Sequence, residues 1–312
     1  MNKTILLLPG EKKLYTQNLI KLDQKTSLSN ISNKTINQDF YEAVTFLPTK
    51  FIDLLIIDPP YNIYKTFNST VYRSKGVDEY ASWFEDIIIK LKPALKTDAS
   101  IYVCSDWFTS ISIATVLQKH FKIRNRITWE REKGRGAKSN WKNSSEDIWF
   151  CTVSNKYQFN SEKVKLLKKV IAPYRDENGI PKDWKFENGT NYRLTFPSNL
   201  WNDISVPFWS MPENTEHPTQ KPEKLIAKLI MASSKKGDYV FDPFAGSGTT
   251  LVTAKKLGRN YTGIEIDKEY ACITEKRLNN CKIGNEIQGY DYGFFWERNT
   301  HPFRIKPGIS AK

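Results

Sequence analysis

The sequence predicts an α/β fold, a doubly wound and mostly parallel sheet carrying an inserted region of different character. Three observations support this. Ile52-Asp53-Leu54-Leu55-Ile56-Ile57 is an apolar run of strand length closed by Asp58-Pro59-Pro60-Tyr61, and such runs suit strands buried on both faces of a parallel sheet. Tyr239-Val240-Phe241 leads into Asp242-Pro243-Phe244-Ala245-Gly246-Ser247-Gly248-Thr249-Thr250, which reads as strand, tight glycine turn and helix start. Around both segments, strand-length and helix-length patterns alternate, as layered α/β sheets require.

Taken in order, residues 1–33 are polar, rich in Asn, Ser and Lys, and weakly patterned, so they read as an N-terminal extension. Residues 34–152 form the first half of the main domain. Within it, Lys34 to Asn37 is a short strand and a helical stretch follows to about Leu47. After the Ile52–Ile57 strand, Trp83, Phe84, Ile87, Ile88 and Leu91 recur at helical spacing between Tyr80 and Leu95. Ser100 to Cys104 is the next strand and Ser110 to Phe121 the next helix, while Arg124–Trp129 and Asp147–Thr152 look like a closing strand pair. From 153 to 216, Pro, Asn, Trp and Lys dominate and periodicity fades, the mark of an insert. Residues 217–283 return to the alternating pattern: a helix over Glu223–Ser233, the glycine strand and its helix to about Leu257, a strand from Tyr261 to Ile266, and a helix from Lys268 to about Asn280. The tail, 284–312, is aromatic and punctuated by Gly and Pro, with no role assigned.

The 312 residues can bury a full core. No apolar run approaches the roughly 20 residues that span a bilayer. The start, with only Ile5 to Leu8 apolar before Pro9-Gly10, argues against a secretory signal. Four scattered cysteines and three histidines suggest neither a disulfide framework nor a metal site, which fits a reducing cytoplasm. Lys and Arg total 47 against 34 acids, a net charge of +13, which favours polyanionic partners, although a basic surface also serves solubility. The excess is concentrated: Lys119 to Lys142 holds nine Lys or Arg and two acids.

Glycines at a strand-to-helix turn let a ligand approach the backbone and the free N–H groups of the helix start. This is not a phosphate loop, because no Lys follows Gly248, nor a full dinucleotide fingerprint, because Leu251 stands at the third glycine position. Glu265 lies 19 residues after Gly246, at the end of the next strand. Dinucleotide sites place a ribose-binding acid about 20 residues on. With Asp242, the set points to a ribose-containing cofactor, although Glu265 beside Asp267 could also be a helix-cap acid.

Asp58-Pro59-Pro60-Tyr61 lies at the carboxyl end of its strand, where open α/β sheets bind ligands. Two prolines stiffen the turn and remove two N–H donors. The Asp58 carboxylate and the Pro59 carbonyl can each accept one hydrogen of an amino group on a planar base, with Tyr61 stacking on the ring. Such fixed acceptors return electron density to a nitrogen whose lone pair is delocalised, and they position it for in-line attack. Taken alone, Asp-Pro-Pro-Tyr is also merely a rigid turn.

Together these segments resemble the DNA amino-methyltransferase family in its β-type order, with Asp58-Pro59-Pro60-Tyr61-Asn62 before Phe244-Ala245-Gly246-Ser247-Gly248-Thr249. His217-Pro218-Thr219-Gln220-Lys221-Pro222 matches the family segment ahead of the cofactor strand, and 80–106 matches its helix–strand unit. The resemblance covers about 34–152 and 215–280. It implies a circularly permuted Rossmann-like methyltransferase fold, with the strand at Thr35 to Asn37 completing a half whose other strands lie at the C-terminal end. It makes 34–152 the catalytic half, 153–216 the target-recognition insert and 217–283 the half that binds S-adenosylmethionine. Asp58, Pro59, Pro60 and Tyr61 are then catalytic. Asp39, Lys221, Asp242, Phe244, Gly246, Gly248, Thr249 and Glu265 hold the cofactor, with Asp39 at its adenine, Glu265 on its ribose, and Lys221 and Thr219 near its methionine end. Gln38 departs from a Gly common in the family. His217 is read as a turn residue. Arg131, Lys133, Arg135, Lys138, Trp141 and Lys142, interleaved with Gly and Asn, become candidates for contact with DNA.

The expected activity is methylation of adenine N6 in double-stranded DNA after base flipping. Asp58 favours adenine, because cytosine-N4 enzymes of this family usually carry Ser there; cytosine N4 is the alternative. A NAD-type oxidoreductase would leave the Asp-Pro-Pro-Tyr turn and the basic insert without a role. A catalytically dead DNA-binding module is opposed by the intact Asp58 and Phe244, and an RNA substrate by the motif set. The resemblance also admits a cognate restriction endonuclease and a homodimer as partners, in a prokaryotic cytoplasm and at the nucleoid when acting.

Overall fold

The structure, a computed structural model, describes residues 2–63, 65–67, 70–72, 74–131, 139–170, 174–187, 190–291 and 293–297. The chain begins with α1 (Glu11–Thr16), α2 (Leu28–Ile31), β1 (Lys34–Asn37), α3 (Phe40–Val44) and β2 (Ile52–Ile57). A hairpin of β3 (Lys65–Phe67) and β4 (Thr70–Tyr72) follows, then α4 (Val77–Leu91), β5 (Leu95–Ser105), α5 (Thr109–His120), β6 (Lys122–Glu130) and β7 (Ser145–Thr152). Next come β8 (Leu166–Lys169), β9 (Lys185–Glu187), β10 (Thr190–Thr195), β11 (Leu200–Trp201) and α6 (Glu223–Ser233). The last elements are β12 (Tyr239–Asp242), α7 (Thr249–Lys256), β13 (Asn260–Glu265), α8 (Lys268–Asn279), β14 (Tyr290–Asp291) and β15 (Phe294–Trp296).

The main sheet has the order β1-β13-β12-β2-β5-β7-β6-β11. It is parallel from β1 through β5, and β7 runs antiparallel to both β5 and β6. Period-two alternation explains how both faces are covered. Leu55 and Ile57 of β2 and Ile101 and Val103 of β5 join one core with α3, α4 and α5. Leu54, Ile56, Tyr102 and Cys104 of the same strands join the other with α6 and α7. The permuted reading holds: β1 pairs with β13 in parallel, Asn37 opposite Glu265, and β12 joins that half to β2. The carboxyl ends of five strands therefore share one edge, and they carry Asn37, Glu265, Asp242, Asp58 and Ser105.

Three regions hold more order than their sequence pattern conveys. Within 1–33, Tyr15, Leu22 and Ile31 are buried, Ile20 bridges Ile36 and Ile5 bridges Thr215, so this segment packs against the main domain. The aperiodic insert supplies β8, β9 and β10 to a second sheet, ordered β14-β15-β8-β10-β9. The C-terminal segment, unassigned from sequence, completes that sheet through the parallel β8–β15 pair. Strands this short carry little alternation, so periodicity could not reveal them. No helix among the described residues is long and apolar enough to cross a membrane.

A buried charge cluster fastens the second sheet to α6. Lys228 donates to both Asp203 oxygens at 2.9 Å and lies over the Trp201 ring at 4.7 Å. Lys224 donates to the Asp203 carbonyl at 2.6 Å and to the Trp296 carbonyl, and its ammonium is 2.9 Å from the Asp203 carboxylate. Burial pushes Lys224 down to about 8 while Asp203 opposes the shift. Removing a carboxylate that bridges two buried lysines strips both of their shared partner. Asp203→Ala should therefore cost about 3–5 kcal/mol, measured by urea unfolding; a loss below about 1 kcal/mol, the scale of an exposed pair, would show that the cluster does not fasten the fold.

Candidate active site

The Asp-Pro-Pro-Tyr turn is anchored from three sides. The Tyr80 hydroxyl on α4 donates to the Pro60 carbonyl at 2.8 Å. The Asn62 backbone N–H donates to Thr109 Oγ1 at the start of α5, at 2.9 Å. The Asn62 side chain closes a two-way bond with the Lys75 backbone, at 2.9 and 2.6 Å. A turn with two prolines so anchored presents Asp58 and Tyr61 in one fixed orientation.

Lys221 reaches this turn from the other half of the domain. Its ammonium lies 2.8 and 2.7 Å from the two Asp58 oxygens, 3.0 Å from the Tyr61 hydroxyl and 3.3 Å from Glu146 Oε2. The Tyr61 hydroxyl donates to Glu146 Oε2 at 3.1 Å, and Arg131 pairs with Glu146 Oε1. Burial raises Asp58 above the usual carboxylate range and Glu146 adds to the rise, while the Lys221 ammonium opposes it. Burial alone would lower Lys221, but Asp58 and Glu146 outweigh it and keep the ammonium protonated. Burial would likewise raise Glu146, yet Lys221 and Arg131 hold it below the ordinary range. Gln220 fixes the segment that delivers the lysine: it accepts from the Thr215 N–H and hydroxyl at 2.8 and 2.7 Å and donates to the Glu213 carbonyl at 2.7 Å.

On the other side, Gly246 and Gly248 take φ of +53° and +78°. A Cβ on Gly248 would meet Thr274 side-chain atoms at 2.4–2.8 Å, and one on Gly246 would lie 3.0 Å from the His217 ring. Left-handed backbone and close packing both favour glycine here. Glu265 accepts the Gly246 N–H and the Asp267 N–H, each at 2.7 Å. Burial pushes Glu265 up to about 7 against those two donors. It does the same to Asp242, up to about 7 against Thr250 and the Phe244 N–H. Asp39 caps α3 by accepting from the Tyr41 N–H at 2.7 Å. Phe244 packs on Phe40, ring centroids 5.6 Å apart.

One cleft runs past both groups. Asp39, Asp58 to Tyr61, Thr219, Lys221, Asp242, Phe244, Gly246, Thr249 and Glu265 all line it; Gly248 lies behind, against Thr274. A carboxylate with two backbone donors keeps lone pairs for two hydroxyls, so Glu265 beside a bare glycine backbone fits a ribose-bearing cofactor such as S-adenosylmethionine. Of the candidate DNA contacts, three lie among the described residues. Arg131 is engaged with buried Glu146, whereas Trp141 is 95% exposed and Lys142 is exposed. Lys133, Arg135 and Lys138 lie outside the described residues. Sequence reasoning missed Glu146, whose only signal was an acid heading an apolar strand. It also missed the His217 ring, which packs on Tyr270 at 4.5 Å, and Arg277, which donates to the Ser247 carbonyl behind the glycine turn at 2.7 Å.

This arrangement has parallels in known proteins. Residues 52–276 match a family described as DNA methylase, which groups N6 and N4 enzymes. The DNA adenine methyltransferase YhdJ of Escherichia coli strain K12 is 32% identical over 263 residues, covering 82% of this chain and 86% of that protein. The type II methyltransferase M.HpaI of Haemophilus parainfluenzae is 31% identical, covering 84% and 77%. Among solved structures, the cytosine-N4-specific PvuII DNA methyltransferase superposes with a TM-score of 0.60 at 18% identity, covering 83% of this chain and 90% of that one. The M1.HpyAVI–SAM complex gives 0.52 at 22% identity, covering 78% and 98%. The family match runs from β2 into α8, across both turns and the lysine between them, and the chain belongs to the N6/N4 DNA methylase family.

Proposed function

We propose that the protein transfers a methyl group from S-adenosylmethionine to N6 of an adenine flipped out of duplex DNA. The observation that carries this reading is the single cleft joining the Asp58–Tyr61 turn to the glycine turn and Glu265. The cofactor supplies an electrophilic sulfonium methyl. Glu265 accepts its ribose hydroxyls, Asp39 borders its adenine, and Phe244 with the 242–249 turn shapes the cavity beside the reacting centre. Asp58 and the Pro59 carbonyl accept the two amino hydrogens and draw density onto N6, while Tyr61 stacks on the base. As the new bond forms, the nitrogen becomes positive beside the Asp58 carboxylate, which stabilises that charge. Asp58 can then take up the departing proton.

Duplex DNA is the partner that the +13 charge suits. Trp141 and Lys142 are exposed, and an aromatic wedge and a phosphate contact are what a flipped base would call on. Adenine is favoured over cytosine by the carboxylate at the first position of the turn, and relatives above 30% identity include one named as an adenine enzyme. The type II naming of several relatives supports a place in a restriction–modification system, where a cognate endonuclease would share the recognition site.

Two experiments test these assignments. Asp58→Ala should abolish transfer of labelled methyl groups to DNA and leave cofactor affinity, measured by calorimetry, within about threefold, because Asp58 faces the base; turnover near the wild-type rate would remove Asp58 from the mechanism. Glu265 is neutral below about 7 and charged above it, and the charged form is the better acceptor for hydroxyls. Cofactor affinity should therefore rise as pH climbs through that value. Glu265→Gln should weaken binding by about 1–3 kcal/mol at pH 8 and reduce the rise, leaving only what Asp242 contributes. An unchanged profile would mean that Glu265 does not meet the ribose.

A further inference from the structure

Glu146 is buried at the start of β7, is not among the residues that line the cleft, and yet stands against the catalytic turn. A buried carboxylate needs compensating partners, and Glu146 has three: Lys221, the Tyr61 hydroxyl and Arg131. The Lys221 ammonium carries three hydrogens and has four acceptors around it: two Asp58 oxygens at 2.8 and 2.7 Å, the Tyr61 oxygen at 3.0 Å and Glu146 at 3.3 Å. It therefore has one acceptor to spare. An amino group that docks on Asp58 must share that carboxylate with the lysine, and a buried ammonium yields an oxygen readily only if another acceptor takes its hydrogen.

We propose that Glu146 is a positioning residue for methyl transfer: it fixes the Tyr61 hydroxyl, and it accepts Lys221 as the target amino group takes one oxygen of Asp58. Arg131, which pairs with the other Glu146 oxygen, follows β6 directly and belongs to the basic stretch, so the same carboxylate links that stretch to the catalytic turn. The proposal rests on Asp58 being the acceptor of the target amino group.

The test measures kcat and KM for duplex DNA, together with calorimetric affinities for cofactor and for DNA, in Glu146→Gln, Glu146→Asp and Asp58→Ala. Glu146→Gln keeps the shape and removes the charge. Its kcat should fall ~10- to 100-fold, the scale of a small misplacement at a reacting centre, with both affinities and KM within about threefold of wild type. Glu146→Asp, which keeps the charge at shorter reach and covers the case in which the glutamine variant does not fold, should recover part of that loss. Unchanged kcat in both variants would overturn the proposal, as would a loss of both binding affinities in step with kcat, which marks a merely structural residue. An active Asp58→Ala would remove the reading beneath the proposal; an inactive one beside unimpaired Glu146 variants would remove the proposal alone.

Discussion

The Lys221 ammonium, buried among Asp58, Tyr61 and Glu146, joins the parts of the molecule that must act together. A charge removed from water is tolerated only with close, well-directed partners, and these partners come from separate segments of the chain. Asp58 and Tyr61 follow β2, Glu146 heads β7, and Lys221 belongs to the loop before α6. None of these positions is interchangeable in sequence, but in space the lysine requires all of them. Because 163 residues separate Asp58 from Lys221, the ion pair forms only when the permuted halves have assembled around one sheet.

The second constraint is the shared edge. Parallel strands ending side by side bring Glu265, Asp242 and Asp58 into one row, and loops after those strands make the cleft, as open α/β sheets do at their carboxyl ends. The row carries several carboxylates with few cations, so burial pushes Asp242 and Glu265 up to about 7 and raises Asp58 as well, while Lys221 opposes the rise at both Asp58 and Asp242.

Much of the fold was legible because the central strands are buried on both faces and their apolar runs are continuous. The β2 and β12 strands, α6 and the membership of β1 in the C-terminal half all lie where pattern and motif put them. The turn residues were legible because prolines and glycines announce backbone geometry locally. Glu146 was not, since nothing local separates a buried acid with three partners from an exposed one. Arg131 was grouped with neighbours by charge, while its actual partner depends on the β6–β7 pairing. The second sheet escaped because it joins β8 to β15 across most of the C-terminal half, a contact carried by no short-range pattern.

Purified protein, S-adenosylmethionine and unmodified duplex DNA should be incubated together, the DNA digested to nucleosides, and the nucleosides separated by mass spectrometry. N6-methyladenine is the expected methylated product. N4-methylcytosine without N6-methyladenine would contradict the assigned target, and no methylated nucleoside from protein that binds both cofactor and DNA would contradict the assembly of Asp58, Lys221 and the glycine turn into a working site.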